Sequence, residues 1–208
     1  LFMNHIMTVT GEISPKNLGI TLMHEHLFNN NSGWWHCPSC EERMYLVNQK
    51  VNPSIYGDLR FDPFVNKDNL SLDDPDLVIN ELNDFVVLGG NTIVDPTNIG
   101  IGRSPELLKK VSLITGLNII MGSGFYLEPT HPEFVKKLDK FNISELITKE
   151  YYEGVADTGI KIGIIGEIGI SKDFTKEEEK VLHGAAIAAS KLKLPLSVHL
   201  PGWERHGH

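Results

Sequence analysis

Five short aliphatic runs punctuate the chain, at residues 19–23, 91–96, 117–122, 161–167 and 195–199, and between them apolar positions recur at helical spacing. Runs that stay apolar without alternating are the mark of strands covered on both faces. Their alternation with helices is the pattern of βα units around a parallel sheet. The second run ends on Asp95-Pro96, where proline cannot continue a central strand's ladder.

The helices announce themselves through their ends. Asp73-Asp74-Pro75-Asp76 puts acids and an early proline ahead of Leu77, Val78, Leu82 and Phe85, and Gly89-Gly90 supplies the stop. Ser104-Pro105-Glu106 opens a second helix through Leu107, Leu108 and Val111 to about Gly116. Ser144 is the expected cap of a third reaching about Asp157, and Thr175 with Glu178 matches a capping box for a fourth reaching Lys193. Residues 29–72, rich in Asn, Asp, Pro and Trp and without periodicity, read as a long insertion after the first strand. Loops of that length are usually functional or mobile.

The expected fold class is therefore α/β, a TIM (β/α)8 barrel truncated after about five βα units, because a parallel barrel needs eight strands before its edges meet. Residues 1–208 read as a single domain, incomplete at its C-terminus, since residues 202–208 carry no stop signal or amphipathic finish. Two open edges invite pairing, so association between copies as a homo-oligomer is expected.

Composition narrows the function. The 208 residues are 41% hydrophobic and 22% charged, ordinary for one globular core. Nineteen basic against 27 acidic residues give a formal charge of −8, with no basic stripe to neutralise phosphates, which argues against a nucleic-acid partner. No apolar run approaches the roughly 20 residues that cross a bilayer, and Leu1-Phe2-Met3-Asn4-His5 lacks the features of a signal peptide. A cytoplasmic protein away from membranes is expected. Cys37-Pro38-Ser39-Cys40 follows His36, a spacing compatible with a metal or a redox disulfide. A structural zinc site wants four ligands, however, and two ordinary loop thiols are the expectation.

Side chains at i and i+2 of a strand share a side, so His24 and His26, ending the first run, can aim together into a barrel mouth. Active sites of parallel barrels are built at that end of the strands. Glu167 ends the fourth run between Gly166 and Gly169, where a carboxylate is costly to bury unless a cation meets it. His199 ends the fifth run before Pro201-Gly202 turn the chain out. Core hydrogen bonds for the histidines and a structural ion pair for Glu167 are the alternatives. Together the three strand ends carry the ligand chemistry of zinc, manganese or cobalt. Asp95 also ends a strand, where it either caps the following turn or takes part in function.

The blocks Thr21-Leu22-Met23-His24-Glu25-His26-Leu27, Gly122-Ser123-Gly124-Phe125-Tyr126, Ile165-Gly166-Glu167-Ile168-Gly169 and Ser197-Val198-His199 resemble, in order and spacing, those of phosphotriesterase-related proteins of the amidohydrolase superfamily. The resemblance runs from about Gly11 to His208. It implies a (β/α)8 barrel holding two divalent ions, most naturally Zn2+ with Mn2+ or Co2+ as alternatives. His24 and His26 would ligate one ion, His199 the second, and Glu167 would bridge them where related enzymes often use a carbamylated lysine. The strand-six His and strand-eight Asp of the family have no counterpart in this chain; His206 and His208 read as the start of the next helix.

The implied chemistry is hydrolysis by a metal-activated hydroxide, with Glu167 as the catalytic carboxylate, of an ester-like bond in a small molecule: a lactone, carboxylic ester, N-acyl amide or phosphotriester. Tyr126, Trp34 and Trp35 are candidates to line the substrate pocket. The alternatives are a metal-dependent nuclease of the TatD kind, which shares the His-x-His and strand-four Glu, and a catalytically inactive metal-binding module.

Overall fold

A computed structural model describes residues 5–201, so His206 and His208 lie outside the described residues. The chain opens with an antiparallel hairpin, β1 (Ile6–Thr8) and β2 (Gly11–Ile13). Its three-residue strands are too short to show alternation, and no sequence expectation covered them. The Val9 N–H donates to the Ile119 carbonyl at 2.9 Å, which fastens the hairpin to the main sheet. Gly163 lies so close to the Met7 carbonyl that any Cβ there would collide with it.

After β3 (Ile20–Leu22), residues 29–72 form a packed excursion of their own. Its two ends are tied by β4 (Asn29–Asn30) against β5 (Ser71–Leu72), and short 3-10 turns and α1 (Tyr56–Phe61) lie between. Leu46, Ile55, Leu59 and Val65 make a separate apolar cluster inside it. Spacing did not reveal this because each helical piece is too short to complete an amphipathic period.

The rest is regular. Helix α2 (Pro75–Val87) leads to β6 (Gly90–Asp95), α3 (Pro105–Thr115) to β7 (Asn118–Ser123), α4 (Lys140–Tyr152) to β8 (Ile164–Gly169), and α5 (Lys176–Leu192) to β9 (Leu196–His199). The five long-run strands pair in parallel in the order β3-β6-β7-β8-β9, an open half-barrel whose edges are β3 and β9. Successive side chains divide between its two faces. Ile93, Ile119, Met121 and Ile165 join the main core under the helices, while Val94, Ile120 and Ile164 meet on the other face with Ile6 and Leu18.

Helix starts follow their caps, with one correction. Asp74 accepts from the N–H groups of Asp76 and Leu77, and Thr175 and Glu178 form the expected capping box. Ser144, by contrast, is buried inside α4. The cap there is Asp139, which makes a capping box with Asn142, and the helix ends at Tyr152 rather than near Asp157. An Asp-x-x-Asn box satisfies the same orphan N–H groups as the commoner Ser/Thr-x-x-Glu form.

In β8 the pairing with β9 slips between Ile165 and Ile168. Both isoleucines lie in the main core although they stand three positions apart, and Glu167 between them turns away from it. Gly166 makes this local geometry tolerable: its φ is +116°, and a Cβ would run into the Ser197 carbonyl.

Candidate metal centre

His24 and His26 follow β3, Glu167 lies within β8, and His199 ends β9. The fold brings all four together. His26 Nε2 is 3.1 Å from Glu167 Oε1, and His24 Nε2 is 3.4 Å from Oε2. His199 Nδ1 reaches the same Oε2 at 3.2 Å. The carboxylate sits at the base, 4% exposed, with His24, His26 and His199 more open above it at 44%, 27% and 38%. The two histidines of the His-x-His pair meet edge to face at 5.2 Å between ring centres.

Behind this cluster stands the segment after β6. The Glu167 N–H donates to the Pro96 carbonyl at 2.9 Å, and Asn98 Nδ2 donates to the Glu167 carbonyl at 2.8 Å. Thr97 Oγ1 lies 2.8 Å from His26 Nδ1. Asp95, fully buried, accepts from the N–H groups of Leu27 and Thr97 at 3.0 and 2.9 Å. Asp95 therefore caps its turn. Sequence reasoning missed Thr97 and Asn98; the signal available was the polar run that follows an otherwise aliphatic strand.

Tyr126 reaches the cluster from the loop after β7. Its ring packs edge to face on His199 at 4.8 Å, and its hydroxyl lies 3.0 Å from Nε2. His199 Nδ1 lies 3.2 Å from Glu167 Oε2, a contact in which the ionised carboxylate can only accept. The indoles hold the 29–72 excursion together. Trp34 stacks on Phe64 at 5.9 Å, and Trp35 donates to the Val65 carbonyl at 3.2 Å beneath the Lys67 ammonium. Cys37 and Cys40 are free and exposed, and His36 pairs with Asp62 at 3.2 Å.

The electrostatics are those of a carboxylate surrounded by imidazoles. Burial alone would raise the Glu167 carboxyl, but hydrogen bonds from His199 and His26, with their charges, hold it down at about 2. Burial opposes protonation of His26; the hydrogen bond and charge of Glu167, with Asp95 and Glu25 behind, raise it above 6.5 nonetheless. Burial and the Glu167 charge keep Tyr126 a phenol.

These shifts set a pH dependence for the metal-free protein. The raised His26 contributes stability below pH 6.5 that is lost as pH rises through its folded value. The depressed Glu167 contributes stability above pH 4.5 that is lost as pH falls toward 2. Thermal melts with chelator are expected to show greater stability between about pH 4.5 and 6.5 than above it, and Glu167→Gln to flatten that difference. Identical profiles for the two proteins would contradict this.

The donor set fits a divalent cation. Among the described residues, His24, His26 and Glu167 each offer a ligand atom, all within 4.8 Å of one another. Two imidazoles and a carboxylate suit zinc, cobalt or manganese. His26 meets Glu167 Oε1, while His24 and His199 share Oε2.

Residues 4–207 match the model of the phosphotriesterase family. A phosphotriesterase-related protein of Nematostella vectensis is 40% identical over 199 residues, covering 94% of this chain and 56% of its own. An N-acetyltaurine hydrolase of Xenopus tropicalis is 37% identical, with 95% and 56% covered. The crystal structure of a resiniferatoxin-binding protein from Rhodobacter sphaeroides superposes with a TM-score of 0.95 at 50% identity, covering 97% of this chain and 56% of that one. The chain thus spans a little over half the length of the relatives it matches.

Proposed function

This chain belongs to the phosphotriesterase family of hydrolases, and from that premise we propose that it forms the metal-binding half of an enzyme that hydrolyses an N-acyl amide or a related ester-like bond in a small molecule. The observation that carries the reading is the convergence of His24, His26 and His199 on one buried carboxylate, Glu167. The amide preference draws on the relative named for N-acetyltaurine hydrolysis.

His24, His26, Glu167 and His199 would hold two divalent ions, most naturally zinc. Such ions lower the pKa of bound water and polarise the scissile carbonyl. The residues of this chain do the rest. Glu167 remains ionised throughout the neutral range, and the histidines hold it from two sides, so ligand positions are preorganised. Tyr126 keeps its phenolic hydrogen and stands against His199, where it can donate to a substrate oxygen and orient it. A net charge of −8 speaks for a small substrate over nucleic acid.

The test is metal content followed by turnover. Chain reconstituted with zinc, manganese or cobalt is expected to retain stoichiometric metal by elemental analysis, and the intact protein to hydrolyse N-acetyltaurine or another acyl amide in a chelator-sensitive manner. Background metal after reconstitution would overturn the centre. Metal-dependent cleavage of DNA without acyl hydrolysis would favour a nuclease.

A further inference from the structure

We propose that His131 is the positioning residue of Tyr126, its Nε2–H gripping the Tyr126 carbonyl so that the phenol is held at the edge of the histidine cluster. The inference rests on the reading of Tyr126 as the group that orients a substrate oxygen. His131 Nε2 lies 2.8 Å from the Tyr126 carbonyl oxygen. A carbonyl can only accept, so Nε2 carries the ring hydrogen. The other nitrogen, Nδ1, is buried without a hydrogen-bond partner among the described residues. A second hydrogen placed there would be stranded, and burial accordingly holds the imidazole below its usual 6.5. The ring is thus a neutral donor with a single target.

That target decides where the phenol starts from. The two peptide planes flanking a Cα set the direction in which its side chain leaves the backbone. At Tyr126 both planes are pinned: the Phe125 carbonyl accepts from the Gly169 N–H at 3.2 Å, and the Tyr126 carbonyl accepts from His131. Gly169 is pressed so near that a Cβ there would collide with the Tyr126 carbonyl carbon and the Leu127 nitrogen. One grip comes from the end of β8 and the other from His131. From this backbone the Tyr126 ring packs on His199 and brings its hydroxyl to 3.0 Å from Nε2.

The turn that carries His131 closes without its ring. It spans Glu128–Thr130, and the N–H groups of Thr130 and His131 donate to the Leu127 and Glu128 carbonyls, each at 2.9 Å. Thr130 Oγ1 adds a bond to the Leu127 carbonyl at 2.8 Å, and the buried Glu178 carboxylate accepts from the Glu128 N–H at 3.2 Å. Packing places the imidazole, which meets the buried Phe125 ring edge to face at 6.0 Å. An independently anchored turn therefore sends one polar contact back to Tyr126, five residues earlier.

The experiment compares wild type with His131→Phe, His131→Gln and Ser112→Ala, the last removing a buried hydroxyl bonded to the Leu117 carbonyl as a structural control. Ring-labelled tyrosine NMR on the full chain reads Tyr126, whose signals Tyr126→Phe identifies. His131→Phe, which keeps an aromatic ring but has no donor, is expected to displace the Tyr126 signals. His131→Gln, whose amide donates at a similar reach, is expected to restore them, and Ser112→Ala to leave them unmoved. In the intact protein, His131→Phe is expected to lower kcat/KM for an acyl amide by up to about 100-fold. His131→Phe combined with Tyr126→Phe should be no slower than Tyr126→Phe alone, because both act through one group. Unmoved Tyr126 signals in His131→Phe would overturn the proposal, as would additive losses in the double variant or an equal displacement in Ser112→Ala. Should His131→Phe fail to fold, the proton signal of the wild-type His131 Nε2–H decides: a protected signal supports the grip, and its absence overturns it. An intact protein that hydrolysed no acyl amide would overturn the proposed reaction, while the Tyr126 signals would still judge His131.

Discussion

Replacing Glu167 with alanine is expected to weaken zinc binding on the order of 100-fold or more, because it removes the one carboxylate that the surrounding imidazoles converge on. The carboxylate is the atom group that all three imidazoles contact, at 3.1–3.4 Å. Without it the histidines keep their strands but lose the negative charge that draws a cation between them. His24→Ala is expected to weaken binding strongly as well, since its Nε2 belongs to the same ligand group. His36→Ala is the control: its imidazole pairs with Asp62 in the 29–72 excursion and should leave zinc affinity unchanged. Equal losses for His24→Ala and His36→Ala would move the site to the Cys37 loop.

The largest effect on stability is expected at Arg103. Its guanidinium, 3% exposed, makes two 2.7 Å bonds to the Glu150 carboxylate and a third, at 3.1 Å, to the Gly122 carbonyl. Ser123 adds a short hydrogen bond to the same carboxylate. The pair ties the loop after β6 and the end of β7 to α4. Breaking a buried ion pair by removing one partner leaves an uncompensated charge and costs about 3–5 kcal/mol, a large share of the roughly 5–15 kcal/mol that holds a domain folded. Arg103→Ala is therefore expected to lower the urea midpoint sharply. Arg103→Lys should recover little, since an ammonium cannot reproduce the two-pronged contact. The double change Arg103→Met with Glu150→Leu should be more stable than Arg103→Ala alone, because no charge is then left buried. A double variant as weak as the single one would show that packing, not charge, dominates there.

What could be read beforehand followed from chemistry that acts over a few residues. The five barrel strands were legible because both of their faces are covered, which leaves uninterrupted aliphatic runs, and each observed strand falls within or beside its run. The starts of α2 and α5 were legible because caps satisfy N–H groups within one turn. His24, His26 and His199 were legible because a polar group terminating an aliphatic run is itself a local anomaly. Ser144 misled because a serine ahead of apolar positions looks like a cap wherever it falls, and only the packing of α4 against α5 showed that the turn before it was already helical.

The amino-acid order by itself determined the βα alternation, the sheet's parallel character and the residue types gathered at the strand ends, since burial periodicity and capping are properties of neighbours in sequence. Tertiary structure alone decided three things. The slip between Ile165 and Ile168 turned Glu167 out of the core and toward the histidines, and only pairing with β9 fixes that register. The excursion at residues 29–72 used Trp34 and Trp35 to hold itself together through contacts with Phe64 and Val65 some 30 residues on. The segment from Asp95 to Asn98 became the support of His26 and Glu167 through hydrogen bonds spanning about 70 residues. Such partners are chosen by how strands stack beside one another, and no local pattern encodes them.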